Sequence, residues 1–344
     1  MKAVVLTGVR QMELRDVPKP VLTKDKDVLL KIEMVGVCGS DAHYYETGRI
    51  GSQVVEYPFI VGHECSATVE EVGDAVRRVK SGDRVVIDPA ISCHECEQCR
   101  AGRENTCRNL KFLGCPGQVE GCLCEYLVMP EDCCFKMTEQ MSFEQGVLCE
   151  PLAIGLYAVK GAGLSAESKI AILGAGPIGL SCMVMAGREN VNACYVTEKI
   201  EERIGVAKQG GASWVGNPER QEVTGEILKL VPEGMDVVFE CAGEQETIDE
   251  ALELVKPGGK IMLIGIPRTE RISFKIDKAR RKEITIINVR RQNKCTQECI
   301  DLISGGEVDV DFMVTHRFGA EQTKDAFDMV SGYRDGVIKA LICF

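Results

Sequence analysis

Four side chains at separated positions have the chemistry of a zinc site. Cys38 stands between Gly36 and Gly39, His63 and Glu64 are adjacent, and Glu150 follows Cys149. A neutral polar group buried without a partner costs about 2–7 kcal/mol, and an ionised one costs more. One thiolate, one imidazole and two carboxylates are ligands that Zn²⁺ accepts. A small buried thiol and a solvated or capping carboxylate are the ordinary interpretations of Cys38 and Glu150 taken singly, and only the set as a whole favours metal.

A second set of ligands lies on one short segment. Its members are all cysteines with close spacing, namely Cys93, Cys96, Cys99 and Cys107. Four local thiolates can surround one tetrahedral zinc ion, so we predict a closed structural site with His94 as a bystander. A bacterial ferredoxin cluster would need a shorter last gap and a proline after the fourth cysteine, where Arg108 stands. Disulfides, or a loop that holds no metal, are the remaining alternatives.

A glycine-rich segment predicts a dinucleotide site. An apolar run at 169–173 predicts a strand, and a helical pattern covers 180–186. Between them lies the motif Gly174-Ala175-Gly176-Pro177-Ile178-Gly179. In this context the glycines allow a tight turn, close approach to a pyrophosphate and close packing of helix on strand. Free amides at the helix N-terminus supply the anion site.

Glu198 determines the expected choice of cofactor. It closes the next predicted strand, nineteen residues after Gly179. A carboxylate there accepts hydrogen bonds from ribose hydroxyls and repels a 2′-phosphate, which favours NAD over NADP. Lys199 and Arg203 lie nearby in the sequence and act against that preference, and an exposed charge at the strand end is the alternative for Glu198. We count Arg203 and Gly265, which follows a later strand, among the cofactor-binding candidates.

The elements that must position these residues differ between the two halves of the chain. Short apolar runs separated by turns predict β-structure in the first half. In the second half, six apolar runs alternate with helical patterns, which predicts a doubly wound parallel sheet and an α/β fold. Another strand-like stretch closes the chain, and we expect it to return to the first domain.

Composition limits the classes of partner. The chain has 344 residues, 45% of them hydrophobic, and a net charge of −11. That size suggests two domains, and the negative charge argues against nucleic acid or an anionic membrane as a partner. No apolar run reaches spanning length and the N-terminus is unlike a secretory signal, so we expect a cytoplasmic protein without a membrane span.

The motifs together resemble the zinc-dependent medium-chain dehydrogenase/reductase superfamily over nearly the whole chain. Cys38-Gly39-Ser40-Asp41, Gly62-His63-Glu64, the four-cysteine segment and the glycine motif occur in that family's order. Three stretches are similar to the sorbitol and xylitol dehydrogenase branch. They are the stretch from Cys38 to Gly51, Cys149-Glu150-Pro151-Leu152 and Val314-Thr315-His316-Arg317-Phe318.

The resemblance implies a GroES-like β-rich catalytic domain at 1–152, completed by 291–344, and a Rossmann domain at 153–290. It implies a catalytic zinc on Cys38, His63 and Glu64, with Glu150 ligating directly or through water, and thus two zinc ions per chain. Ser40 and His43 match proton-relay positions, and Tyr44, Phe112 and Arg291 match polyol-contacting positions. A homotetramer is also implied.

The function expected from this resemblance is oxidation of a polyol secondary alcohol to a ketose, with hydride transfer to NAD. One departure concerns residues 290–293, Arg-Arg-Gln-Asn, where sorbitol enzymes tend to carry aromatic residues around a single arginine. This more basic sequence suggests a different polyol, or a phosphorylated or acidic one. The alternatives are an inositol, threonine or polyol-phosphate dehydrogenase, or a nucleotide-binding homologue without catalysis.

Overall fold

The structure is a computed structural model that describes all residues, Met1–Phe344. These residues form two compact units. Unit 1 comprises Met1–Glu150 and Thr296–Phe344, and unit 2 comprises Pro151–Cys295. None of the helices is both long enough and apolar enough to cross a membrane.

The strands follow one another along the chain as β1 (Lys2–Gly8), β2 (Gln11–Asp16), β3 (Asp27–Gly36), β4 (Arg49–Ile50), β5 (Gln53–Val54), β6 (Glu64–Val72), β7 (Arg84–Ile87), β8 (Ala90–Ile91), β9 (Lys111–Phe112), β10 (Tyr126–Pro130), β11 (Cys134–Lys136), β12 (Lys169–Leu173), β13 (Ala193–Thr197), β14 (Trp214–Gly216), β15 (Met235–Glu240), β16 (Val255–Leu263), β17 (Thr285–Asn288), β18 (Val314–Gly319) and β19 (Lys339–Cys343).

The α-helices are α1 (Gly39–Thr47), α2 (Glu97–Arg100), α3 (Phe143–Ala162), α4 (Pro177–Arg188), α5 (Glu201–Gln209), α6 (Val223–Leu230), α7 (Gln245–Leu254), α8 (Ile276–Arg281), α9 (Thr296–Ser304) and α10 (Thr323–Ser331). Pro151 lies inside α3.

Unit 1 is built on a seven-stranded sheet with the order β11-β7-β6-β3-β19-β18, in which β10 also pairs with β3. The long strand β3 is central because it pairs antiparallel with β6, β10 and β19. Its residues Val28, Leu30 and Ile32 have no exposed surface. Through β19 the end of the chain therefore belongs to the same sheet as β3.

Unit 2 contains a six-stranded sheet with the order β14-β13-β12-β15-β16-β17, and every pairing is parallel. Residues 170–173 of β12 are fully buried, as expected for a strand covered on both faces. The strand order reverses beside β12, which is the place where a doubly wound sheet binds its ligand. The prediction of a six-stranded Rossmann sheet is confirmed.

Candidate metal centre and dinucleotide site

Pairing of β3 with β6 brings three of the predicted ligands together. Gly36 at the end of β3 faces Glu64 at the start of β6, His63 precedes Glu64, and Cys38 caps the N-terminus of α1. The ligand atoms of Cys38, His63 and Glu64 all lie within 4.8 Å of one another. A Cβ atom at Gly36 would lie 2.4 Å from Glu64 Oε2, so this position requires glycine.

Asp41 orients the imidazole of His63. Its Oδ1 lies 3.2 Å from His63 Nδ1, and both side chains are buried. Because this contact occupies Nδ1, it leaves Nε2 as the ligand atom, an arrangement common in metal sites. Burial lowers the pKa of His63, but the negative charges of Asp41 and Cys38 outweigh it and raise the pKa well above the usual histidine value.

Lys339 forms a buried ion pair with Glu64. Its Nζ lies 2.5 Å from Glu64 Oε2, and each side chain is 1% exposed. Nζ also donates to the carbonyl oxygen of Val37 at 3.3 Å, next to Cys38. Burial lowers the pKa of Lys339, but the negative charge of Glu64 and of Cys38 raises it above the usual value. One lysine thus contacts both ligand-bearing segments.

Glu150 lies in α3 and is buried, but its carboxylate is not within 4.8 Å of all three other ligand atoms. Its Oε2 has no hydrogen-bond partner. Burial raises the pKa of Glu150 to about 7; His63 opposes this shift, and Glu64 adds to it. A buried carboxylate oxygen without a hydrogen-bond partner needs another partner, and a divalent cation held by the thiol, the imidazole and the second carboxylate would provide one. These residues fit zinc.

The other proton-relay and substrate candidates are in unit 1, except Arg291. Ser40 Oγ donates to Cys38 Sγ at 3.3 Å. His43 and Tyr44 follow on α1, and the ring of Phe112 lies 5.3 Å from that of His63 between centroids. Arg291 belongs to unit 2, where it has a left-handed backbone with φ of 54°.

The four-cysteine segment has the geometry of a closed zinc site. Neighbouring Sγ atoms of Cys93, Cys96, Cys99 and Cys107 are 3.4–4.0 Å apart. A zinc–sulfur distance of about 2.3 Å gives a tetrahedron with edges of about 3.8 Å. Hydrogen bonds from backbone N–H groups, above all that of Arg108, lower the pKa of the Cys96 thiol to about 6. His94 is not one of the four clustered ligands.

In unit 2 the glycine motif forms the turn between β12 and α4. Gly174 has φ of 100°, and a Cβ atom at Gly179 would lie 1.9 Å from the Gly174 carbonyl oxygen. Helix α4 begins with Pro177 after Gly176. This is the close packing and helix start that a pyrophosphate site requires.

Glu198 is buried beside this turn and accepts three backbone hydrogen bonds. The donors are the amides of Ala175, Lys199 and Ile200, at 2.7, 2.8 and 3.0 Å. Because a carboxylate can accept about four hydrogen bonds, Glu198 retains capacity for a ribose hydroxyl. Arg203 is buried on α5, and its Nη1 lies 3.6 Å from where a Cβ atom at Gly176 would stand.

Glu240 was missed in the sequence, although it organises the loop beside Gly265. Its Oε1 accepts hydrogen bonds from the amides of Ala242 and Gly243 and from the hydroxyl of Thr247. A Cβ atom at Gly265 would lie 2.2 Å from the Gly243 nitrogen, so the loop after β15 and the loop after β16 can approach this closely only because residue 265 is glycine. Only its place at the end of a predicted apolar strand could have indicated Glu240. Lys339 was missed too; its signal was a single charge within the apolar run 337–342.

Comparison with known proteins agrees with this geometry. Residues 24–139 match the family model of the alcohol dehydrogenase GroES-like domain, and residues 177–305 match that of the zinc-binding dehydrogenases. A sorbitol dehydrogenase of Bacillus subtilis is 35% identical over 343 residues, which are 99% of this chain and 97% of the relative. An L-idonate 5-dehydrogenase of Vitis vinifera is 34% identical over 330 residues, 94% of this chain and 89% of the relative.

Among solved structures, a zinc-binding dehydrogenase from Sinorhizobium meliloti 1021 bound to NADP superposes with a TM-score of 0.91. It is 32% identical and covers 100% of this chain and 99% of its own. The GroES-like and Rossmann folds expected for the two parts of the chain are therefore confirmed. The chain belongs to the zinc-dependent medium-chain dehydrogenase/reductase superfamily, in its polyol dehydrogenase branch.

Proposed function

We propose that the protein oxidises a secondary hydroxyl of a polyol to a ketone and transfers the hydride to NAD. The observation that carries the proposal is the cluster of Cys38, His63 and Glu64, together with Glu150, a buried carboxylate that interacts electrostatically with His63 and Glu64 and whose Oε2 has no hydrogen-bond partner. The glycine turn with Glu198 supports the nicotinamide cofactor. Similarity to a sorbitol dehydrogenase over nearly the whole chain supports the substrate class.

Cys38, His63, Glu64 and Glu150 would hold the catalytic zinc. When bound, zinc supplies a Lewis acid that lowers the pKa of an alcohol hydroxyl. The protein's own part begins with orientation. Asp41 keeps His63 in one ring orientation, and Lys339 restrains the Glu64 carboxylate.

The reaction converts the alcohol and NAD⁺ to the ketone, NADH and one proton. The hydroxyl proton must leave the site, and the carbinol hydride goes to the nicotinamide. Ser40 lies 3.3 Å from Cys38 Sγ at the start of α1, and His43 is three residues further along that helix. We assign Ser40 and then His43 to move the proton outward.

NAD is the cofactor favoured by Glu198. Its carboxylate is held in one orientation by three backbone amides. A fixed negative charge at the ribose would repel a 2′-phosphate. Tyr44, Phe112 and Arg291 are proposed as substrate contacts. The homotetramer is proposed from the resemblance, and the cytoplasmic location from the sequence pattern.

A phosphorylated or acidic polyol is the second candidate. Residues 290–294, Arg-Arg-Gln-Asn-Lys, favour it because they carry three positive charges, and an L-idonate 5-dehydrogenase is among the relatives. Arginine recognises carboxylate and phosphate through paired hydrogen bonds. Inositol and threonine dehydrogenation remain alternatives from the same family.

A substrate panel tests the proposal. Purified protein is given NAD or NADP with sorbitol, xylitol, a polyol phosphate, a sugar acid, inositol and threonine, and NADH or NADPH formation is followed by absorbance. We expect turnover with a polyol and NAD.

Cys38→Ala should lose both turnover and one zinc ion per chain, measured by metal analysis. Cys134→Ala is the matched control, since Cys134 is a buried thiol outside both ligand clusters. Full turnover and full zinc content in Cys38→Ala would refute the assignment.

A further inference from the structure

Three side chains of unit 1 form a hydrogen-bonded ring, of which the proposed mechanism uses only Tyr44. Tyr44 Oη donates to Gln53 Oε1 at 3.0 Å, and Gln53 Nε2 donates to Cys115 Sγ at 2.7 Å. Cys115 Sγ lies 3.8 Å from Tyr44 Oη. Because the single Tyr44 hydrogen goes to Gln53, the thiol is the donor in this last contact.

The ring connects three structural elements. Tyr44 lies on α1, Gln53 begins β5 in the hairpin that follows, and Cys115 comes from the loop after β9. Tyr44 and Cys115 are 5% and 3% exposed, and Gln53 is half-buried. A buried polar group that lost its hydrogen-bond partner in this ring would lower the free energy of unfolding. Each of the three groups therefore restrains the other two.

The ring also borders the metal centre. Ser40 and Tyr44 are four residues apart and therefore share a face of α1, and Ser40 contacts Cys38 Sγ. On the other side, the loop of Cys115 begins at Phe112, whose ring packs on that of His63. The Tyr44 hydroxyl is thus held between the two segments that flank the ligands.

We propose that Gln53, together with Cys115, is a positioning residue that holds the Tyr44 hydroxyl where a polyol hydroxyl meets it. This inference rests on the proposed function, because it assumes that Tyr44 contacts the substrate. Gln53 and Cys115 act through Tyr44 and do not touch the reacting atoms. They tune which polyol binds, and the chemical step does not depend on them.

Steady-state kinetics of the zinc-loaded enzyme with its polyol and NAD test this role. Gln53→Met keeps the length and volume of the side chain but removes the amide. We expect KM for the polyol to rise by about fivefold to tenfold, the loss of one net hydrogen bond, with kcat unchanged. Cys115→Ala should raise KM in the same way, whereas Cys115→Ser, which retains a donor and acceptor, should restore most of the affinity.

A double-mutant cycle separates positioning from a general structural effect. In the Tyr44→Phe background, Gln53→Met should change KM by less than about twofold, since its effect passes through the hydroxyl. Zinc content should match that of the wild type. An equal rise of KM with and without the Tyr44 hydroxyl, or an unchanged KM in Gln53→Met, would overturn the inference.

The two proposals fail differently. Wild-type protein that forms no NADH with any polyol would overturn the proposed function, and the inference with it. Wild-type protein that turns over a polyol while Gln53→Met and Cys115→Ala leave KM unchanged would overturn the positioning role alone.

Discussion

Lys339→Met removes one charge from a pair in which both side chains are 1% exposed. At the 2.5 Å separation, unit charges attract by about 6–7 kcal/mol at an effective dielectric constant of about 20. Desolvation of the two ions offsets several kcal/mol of this, so the net worth of the pair is small. Removing one partner is different, because Glu64 stays buried without compensation. We therefore expect the free energy of unfolding to fall by about 3–5 kcal/mol.

The assay is urea unfolding followed by circular dichroism, with and without a zinc chelator. The double variant Lys339→Met with Glu64→Gln has no unpaired charge and should regain most of the stability that Lys339→Met loses, in the chelated protein above all. Lys339→Arg keeps the charge and is the conservative control.

A loss below about 1 kcal/mol in Lys339→Met would refute the reasoning, since that is the range of an exposed pair. So would a double variant no more stable than Lys339→Met, because the unpaired Glu64 charge would then not be the source of the loss. Either result would mean that water or another group reaches Glu64.

Two further predictions concern other parts of unit 1. Cys96→Ser should lower the zinc content from two ions to one per chain and reduce the unfolding temperature, because three thiolates leave a structural site incomplete. Metal analysis and a thermal melt measure the two effects, and an unchanged zinc content would contradict the site. Glu131 accepts the amides of Arg77 and Arg78, which lower its pKa, although burial opposes them. Its contribution is therefore present at neutral pH and disappears as the pH falls below the usual glutamate pKa, about 4.3. Glu131→Gln should cost about 1.5–3 kcal/mol at pH 7 and less at pH 4 in urea unfolding, and a cost independent of pH would argue against the charged contact.

Features that lie within a short segment could be predicted from the sequence. The spacing of Cys93, Cys96, Cys99 and Cys107 brings four sulfurs within reach of one metal ion without help from distant residues. The glycine turn of residues 174–179 is equally local, because positive φ at Gly174 and the contact between Gly179 and Gly174 involve neighbouring positions.

Contacts between distant segments could not be predicted in this way. Nothing in the sequence pattern links Gln53 to Cys115, which are 62 residues apart. Their hydrogen bond exists because the fold of unit 1 brings the hairpin after α1 against the loop after β9. No periodicity or spacing within either segment encodes that packing.

By itself the sequence determined the alternation of strands and helices, the two groups of candidate ligands and the fingerprint of the dinucleotide site, since each depends on the types and spacing of neighbouring residues. Only the tertiary structure decided which charges are buried and what they meet. Glu64 and Lys339 are 275 positions apart in the chain. They form an ion pair because β6 and β19 flank the same strand, β3, and the burial that makes the loss of either partner costly is a property of the folded sheet.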